Sequence, residues 1–119
     1  MSTTGNPAAY LEEYQTFLDQ YKAGTVDAEA VGALIVRLAQ YFATYNLQFS
    51  GADYQFNAKA AVFETQKDPD TLKPLSSAKA KVLADADPSY ALRGDLKAHL
   101  ENLDTMIQSL KSLQKGLLN

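Results

Sequence analysis

The sequence predicts an all-α fold, an elongated helical hairpin or bundle of three to four helices with coiled-coil-like packing. Apolar residues recur at steps of three and four along most of the 119-residue chain, which is typical of helices that bury one face. β-branched residues are few and never alternate over a useful length, so no strand is expected. The clearest stripe has the a/d spacing of a helix that lies along a partner helix. Its members are Leu92, Leu96, His99, Leu103, Met106, Leu110, Leu113 and Leu117.

Composition indicates one globular domain over residues 1–119, since hydrophobic residues make up 46% and charged residues 21% of the chain. The net charge is -3, and it is uneven: about -4 over residues 1–58 and about +1 over 59–119. Without a basic excess, the chain as a whole is not expected to bind DNA non-specifically. The absence of cysteine excludes disulfides, thiolate nucleophiles and cysteine-ligated zinc.

The first helix is predicted over residues 7–23, after a loose tail at 1–5. Asn6 suits the N-cap and Pro7 the first helical position. Gly24 is the expected C-terminal stop.

The second helix is predicted over 28–66, capped by Asp27. Its apolar stripe runs from Val31 to Phe63 and stays in phase through Ser50 and Gly51. One long helix is therefore favoured over two helices broken near residues 46–51. Tyr41 and Tyr54 fall beside this stripe and are the better candidates for partly exposed contacts.

Two prolines and two aspartates predict a loop over 67–75. Ser76 or Ser77 then caps a short helix over 76–86. Asp87 and Pro88 repeat the start signal, which predicts a last helix over 88–116.

A hairpin of two long amphipathic helices buries each stripe only partly, and the first helix is too short to cover the remainder. We therefore expect the exposed remainder to be the interface of a homo-oligomer. The residues predicted to carry self-association are Leu103, Met106, Leu110, Leu113 and Leu117.

The segment from Lys73 to Lys81 has the residues of an anion site. Ser76 and Ser77 offer hydroxyls and free N–H groups at a helix start, and Lys73, Lys79 and Lys81 add positive charge. Phosphate or nucleic-acid contact at these five residues is one interpretation. A plain serine cap is the other, and the lack of a glycine-rich phosphate loop favours it.

His99 is the only histidine and lies on the leucine stripe, with Asp95 the nearest carboxylate on that side of the helix. A metal site needs two or three further ligands, so a histidine at the edge of the core is the favoured interpretation. The sequence predicts no catalytic residue, no metal and no cofactor, and therefore no enzyme.

The first five residues lack the charged and apolar pattern of a signal peptide, and no apolar run approaches about 20 residues. We expect a cytoplasmic protein that does not bind membranes.

Residues 76–115 resemble small all-helical accessory proteins of bacteriophages and mobile elements. The shared features are a Ser/Ala/Lys helix start at Ser76-Ser-Ala-Lys-Ala-Lys, a tyrosine segment, and an Ile-x-x-Leu-Lys helix end at Ile107-Gln-Ser-Leu-Lys. The resemblance implies an accessory that binds a partner in replication, recombination or anti-defence, in the host cytoplasm. It carries no functional residue over to this chain.

The predicted function is therefore a non-enzymatic, homo-oligomeric protein that binds another macromolecule, with a host or phage protein as partner. One alternative is a nucleic-acid-binding accessory that uses Lys73, Lys79, Lys81, Lys111 and Lys115. The other is an inhibitor that binds a host defence protein through the acidic first half.

Overall fold

The computed structural model describes residues 9–118, and in that range the chain forms four α-helices and no strand. The helices are α1 (Ala9–Lys22), α2 (Ala28–Thr65), α3 (Ser77–Asp85) and α4 (Pro88–Leu118). The all-α fold class is confirmed. The predicted tail at 1–5, the Asn6 cap and Pro7 lie outside the described residues.

The described residues group into two compact units. The first unit comprises 9–44 and 101–118, and the second comprises 45–100. The unit boundaries fall inside α2 and α4, where no turn or breaker in the sequence marks them, so the prediction of a single domain did not anticipate this grouping.

Gly24 ends α1 as its position in the sequence predicts. Its φ of +76° lies in the left-handed region, which glycine adopts without a steric penalty. The Gly24 N–H donates to the Tyr21 carbonyl at 3.0 Å, and the Thr25 N–H donates to the Gln20 carbonyl at 3.1 Å. These two bonds form a Schellman motif, which satisfies carbonyls that the helix end leaves without partners.

The long helix α2 is continuous, so the single-helix prediction is confirmed against the broken alternative. Asp27 caps it, since its carboxylate accepts the Ala30 N–H at 2.8 Å. Gly51 is exposed, and a Cβ there would meet nothing within 4 Å. The helix tolerates this glycine because the stripe on its inward face stays in phase on both sides of it.

The core of the first unit combines the apolar faces of three helical segments. α1 and the first part of α2 supply most of it, and the last part of α4 supplies two leucines. The buried residues are Ala9, Tyr10, Phe17, Val31, Leu34, Leu38, Leu103 and Leu110.

In the second unit α2 and α4 run antiparallel. The ring of Tyr45 stacks on that of His99 with centroids 5.0 Å apart, and the ring of Phe56 lies 5.6 Å from that of Tyr90. Later residues of α2 thus meet earlier residues of α4. Arg93 lies 5.0 Å above the Phe56 ring and pairs with Asp53 at 2.9 Å. The buried residues are Tyr45, Ala52, Asp68, Ala80, Ala84, Ser89 and Leu96.

The starts of α3 and α4 follow the predicted signals. Ser76 is the N-cap of α3, and its hydroxyl accepts the Lys79 N–H at 3.2 Å. The Asp87 carboxylate accepts the Ser89 N–H at 3.0 Å at the start of α4, with Pro88 in the first helical position. Hydrogen bonds from Ser89 lower the pKa of the Asp87 carboxyl below its ordinary value.

Candidate interaction surface

Two of the four leucines that the sequence assigned to self-association are buried in the core of the first unit. Leu103 is 0% and Leu110 is 1% exposed, so the prediction that these two form an exposed interface is wrong. The reason is that buried residues of α1, α2 and α4 form one core in the first unit, and both leucines belong to it. Met106 and Leu113 are half-buried and Leu117 is 41% exposed, so self-association through these three stays a prediction.

Two of the three lysines in the Lys73–Lys81 segment form ion pairs with carboxylates. Lys79 Nζ lies 2.8 Å from Asp68 Oδ2, and Lys81 Nζ lies 2.6 Å from Asp85 Oδ2. Both lysine side chains are still more than half exposed, but the carboxylates offset their charge locally. Lys73 is exposed, and no ion pair of the described residues includes it.

The serines of this segment also have a structural explanation. The Ser76 hydroxyl is used as the cap of α3, and Ser77 is the first residue of that helix. The plain-cap interpretation therefore accounts for Ser76, while anion binding at this segment stays a prediction with less free charge than the sequence suggests.

Asp68 organises the loop before α3. Its side chain is nearly buried, at 7% residue exposure, and accepts hydrogen bonds from Lys79 Nζ and from the Asp70 N–H at 2.9 Å. The Lys79 hydrogen bond is the main cause that lowers the pKa of the Asp68 carboxyl below 3.8. The Asp68 N–H also donates to the Lys73 carbonyl at 2.7 Å, which closes the loop. Hydrogen bonds to Asp68 thus join both ends of the connection between α2 and α3.

An open groove of about 510 Å³ lies in the second unit. Its lining combines apolar side chains with Glu64 and the paired Lys81 and Asp85. Its lining residues are Phe56, Ala60, Glu64, Leu75, Ser77, Ala80, Lys81, Ala84 and Asp85.

A second groove of about 520 Å³ lies in the first unit, between α1 and the start of α2. At its edge Arg37 Nε donates to Glu13 Oε1 at 2.7 Å, and the Tyr41 hydroxyl donates to Glu13 Oε2 at 2.6 Å. Tyr41 is half-buried, as a partly exposed residue would be. Its hydroxyl also joins α2 to α1 through the hydrogen bond to Glu13.

His99 is half-buried, and its ring stacks on Tyr45 at an interplanar angle of 16°. This position at the edge of the core agrees with the favoured interpretation of the sequence. Across residues 9–118 no three acidic or histidine side chains come together as a possible metal site. Nor is any helix within that range long and apolar enough to cross a membrane.

The exposed large apolar side chains that α2 contributes to the second unit lie on its outward face. Leu47 is 76% and Tyr54 is 75% exposed, and Val62 beside them is 50% exposed. Six exposed residues follow this face at steps of four and three, and none is charged. These residues, which we call the outer α2 seam, are Leu47, Gly51, Tyr54, Ala58, Ala61 and Thr65.

Tyr54 was predicted from the sequence to be a partly exposed contact, and the structure confirms its exposure. The rest of the seam was not predicted, because the stronger stripe on the inward face dominates the pattern of this helix. The signal that could have found it is the 4–3 spacing from Leu47 to Thr65 together with the absence of charge at those positions.

The comparisons with known proteins give no relative for this chain. No protein family, no curated protein and no solved structure matches it.

Proposed function

We propose that this chain is a non-enzymatic protein that acts by binding another macromolecule and that it associates with itself. The observation that supports the proposal is that the second half of α2 is apolar on two opposite faces. Tyr45 and Ala52 on the inward face are buried, whereas Leu47 and Tyr54 on the outward face are about three-quarters exposed. A helix that is apolar on both faces is typical of one that is covered on both sides.

The outward face favours a protein partner over a nucleic acid. Phosphate binding depends on clustered free cations, and the outer α2 seam is uncharged. In the Lys73–Lys81 segment, two of the three lysines, Lys79 and Lys81, are paired with carboxylates. The bacteriophage setting that the resemblance of residues 76–115 implies, and with it a host or phage protein as second partner, stays part of the proposal.

The test is the solution mass of the whole chain, measured by light scattering after chromatography from about 5 to about 500 μM, a range that brackets the affinity of weak interfaces. Self-association through an apolar face predicts a mass that rises above 13.0 kDa with concentration. It also predicts little change between low and high salt, because salt does not screen apolar contacts. A mass of 13.0 kDa over the whole range would contradict self-association.

A further inference from the structure

The outer α2 seam has the spacing that a second helix requires. Its members recur at steps of four, three, four, three and four, which is the a/d pattern of a coiled coil. From Leu47 to Thr65 the seam extends about 27 Å at 1.5 Å per residue. Every member is exposed, so a second helix can reach the whole length.

The order of residue sizes along the seam distinguishes parallel from antiparallel pairing with an identical seam. Parallel pairing in register would set Tyr54 against its own copy and Gly51 against its own copy. The first layer would be crowded and the second would contain a void, and both are unfavourable at a packed interface.

Antiparallel pairing places a large residue opposite a small one. In the register centred on residue 56, Tyr54 comes level with Ala58 of a second copy, and Leu47 comes level with Thr65. Gly51 comes level with Ala61, so this layer is smaller than the other two, but it is larger than a layer of two Gly51 residues. The summed side-chain volume is then more even from layer to layer than in the parallel arrangement.

We infer that the outer α2 seam pairs antiparallel with the same seam of a second copy of this chain, around a two-fold axis level with residue 56. The inference rests on the proposed function and specifies the surface and geometry of self-association. A two-fold axis makes the interface isologous, so the same six residues serve both copies and no further chain is recruited.

The charges beside the seam are compatible with this pairing. The flanking residues are Gln48, Ser50, Gln55, Asn57, Val62 and Glu64, of which only Glu64 is charged. In the antiparallel register Glu64 comes level with Gln48 of the second copy, so no two like charges meet across the axis. Each copy carries a net charge of -3, which salt screens at longer range.

The area of the seam sets the expected strength. Tyr54 at 75% exposure offers roughly 150 Å². With Leu47, Val62 and the small residues, two paired seams bury on the order of 1,000 Å² in total, near the lower bound of specific interfaces. A dimer that forms in the micromolar range or above is therefore expected, rather than a permanent one.

Cysteine cross-linking tests the geometry directly, because the natural chain has no cysteine. Gly51→Cys and Ala61→Cys are made as separate chains. Gly51→Cys is expected to fold, because a Cβ at position 51 meets nothing within 4 Å. Mixed under mild oxidation, the two chains should form a disulfide-linked dimer. Neither chain alone should do so, since two copies of residue 51 lie about 15 Å apart along the axis, too far for a disulfide.

The control chain is Val82→Cys, whose position on α3 is 68% exposed and distant in sequence from the seam. It should cross-link with neither seam chain above the level of random collision. Cross-linking of Gly51→Cys with itself at the level expected for the mixed pair would overturn the antiparallel geometry.

A second measurement separates this inference from the proposed function. Tyr54→Glu should raise the dissociation constant of the dimer at least tenfold. The matched control Val82→Glu should leave the dissociation constant unchanged, and both positions are exposed. Circular dichroism checks that both variants keep their helices. A dimer that Tyr54→Glu leaves intact would overturn the seam and preserve self-association. A monomer at every concentration would overturn both.

Discussion

The side-chain amide of Gln114 in α4 crosses Gly32 of α2. Its Nε2 stands 2.9 Å from the point that a Cβ at position 32 would occupy, and it donates to the Ala28 carbonyl at 3.1 Å. The hydrogen bond joins the end of α4 to the first turn of α2 within the first unit. Glycine at position 32 leaves room for the amide, so the glycine and the hydrogen bond depend on each other.

A double-mutant cycle tests this dependence. Gln114→Ala alone should lower the free energy of unfolding by about 1 kcal/mol through loss of the hydrogen bond. Gly32→Ala alone should change it by less than about 0.5 kcal/mol, because the gain in helix propensity of about 1 kcal/mol offsets the displaced amide. In the Gln114→Ala background the same Gly32→Ala change should be stabilising by about 1 kcal/mol, since nothing then opposes the methyl group.

Urea unfolding of the four chains gives the coupling free energy, for which we expect about 1 kcal/mol. Gly51→Ala is a matched control, because a Cβ there meets nothing within 4 Å and the site is not coupled to Gln114. Equal effects of Gly32→Ala in both backgrounds would show that the amide does not need the glycine.

Two leucines of one stripe on α4 should differ sharply in their contribution to stability. Leu103→Ala removes a side chain that is 0% exposed and should cost about 2–5 kcal/mol, the range for a cavity in a packed core. Leu117→Ala, at 41% exposure, should cost less than about 1 kcal/mol. Thermal or urea unfolding measures both, and similar small losses for the two variants would contradict the placement of Leu103 in the core.

This contrast shows what the sequence could and could not predict. Spacing alone predicted that Leu103 and Leu117 share one face of a helix, and that local inference holds. Which part of the face is covered depends on how α1, α2 and α4 pack in the first unit, which is a tertiary property without a local signal. The helix caps were predictable because they are local. Asp27, Ser76 and Asp87 each accept a hydrogen bond from a residue no more than three positions away.

Leu72, in the loop before α3, has a backbone conformation that no sequence pattern indicates. Its φ is +57°, in the left-handed region, and its side chain is 75% exposed. The backbone there is fixed by the hydrogen bonds of the loop, including that from the Leu72 N–H to the Asp68 carbonyl at 2.8 Å. Loop closure thus overrides the preference of leucine, which disfavours this conformation by about 1–2 kcal/mol.

Leu72→Gly should therefore raise the free energy of unfolding by about 0.5–1 kcal/mol, because glycine adopts a positive φ without strain and little apolar burial is lost. Leu72→Ala keeps the Cβ and should change stability by less than about 0.5 kcal/mol. The midpoint of urea unfolding measures both variants at pH 7. A loss of stability in Leu72→Gly would show that the side chain contributes more through contacts than it costs through strain.

The ion pair between Asp68 and Lys79 should make stability depend on acid pH. The Lys79 hydrogen bond holds the pKa of the folded Asp68 carboxyl below 3.8, so the folded chain keeps this carboxylate charged where the unfolded chain binds a proton. The stabilisation is therefore fully present above about pH 5 and is lost as pH falls below 4 through the folded pKa.

The Asp68→Asn variant should have a lower free energy of unfolding than the natural chain at pH 7, and the two values should converge near pH 2. Urea unfolding between these limits measures the difference, with Asp70→Asn as the control that removes a neighbouring charge but keeps the Asp68–Lys79 pair. A difference that stays constant from pH 7 to pH 2 would contradict the role assigned to the Asp68 charge.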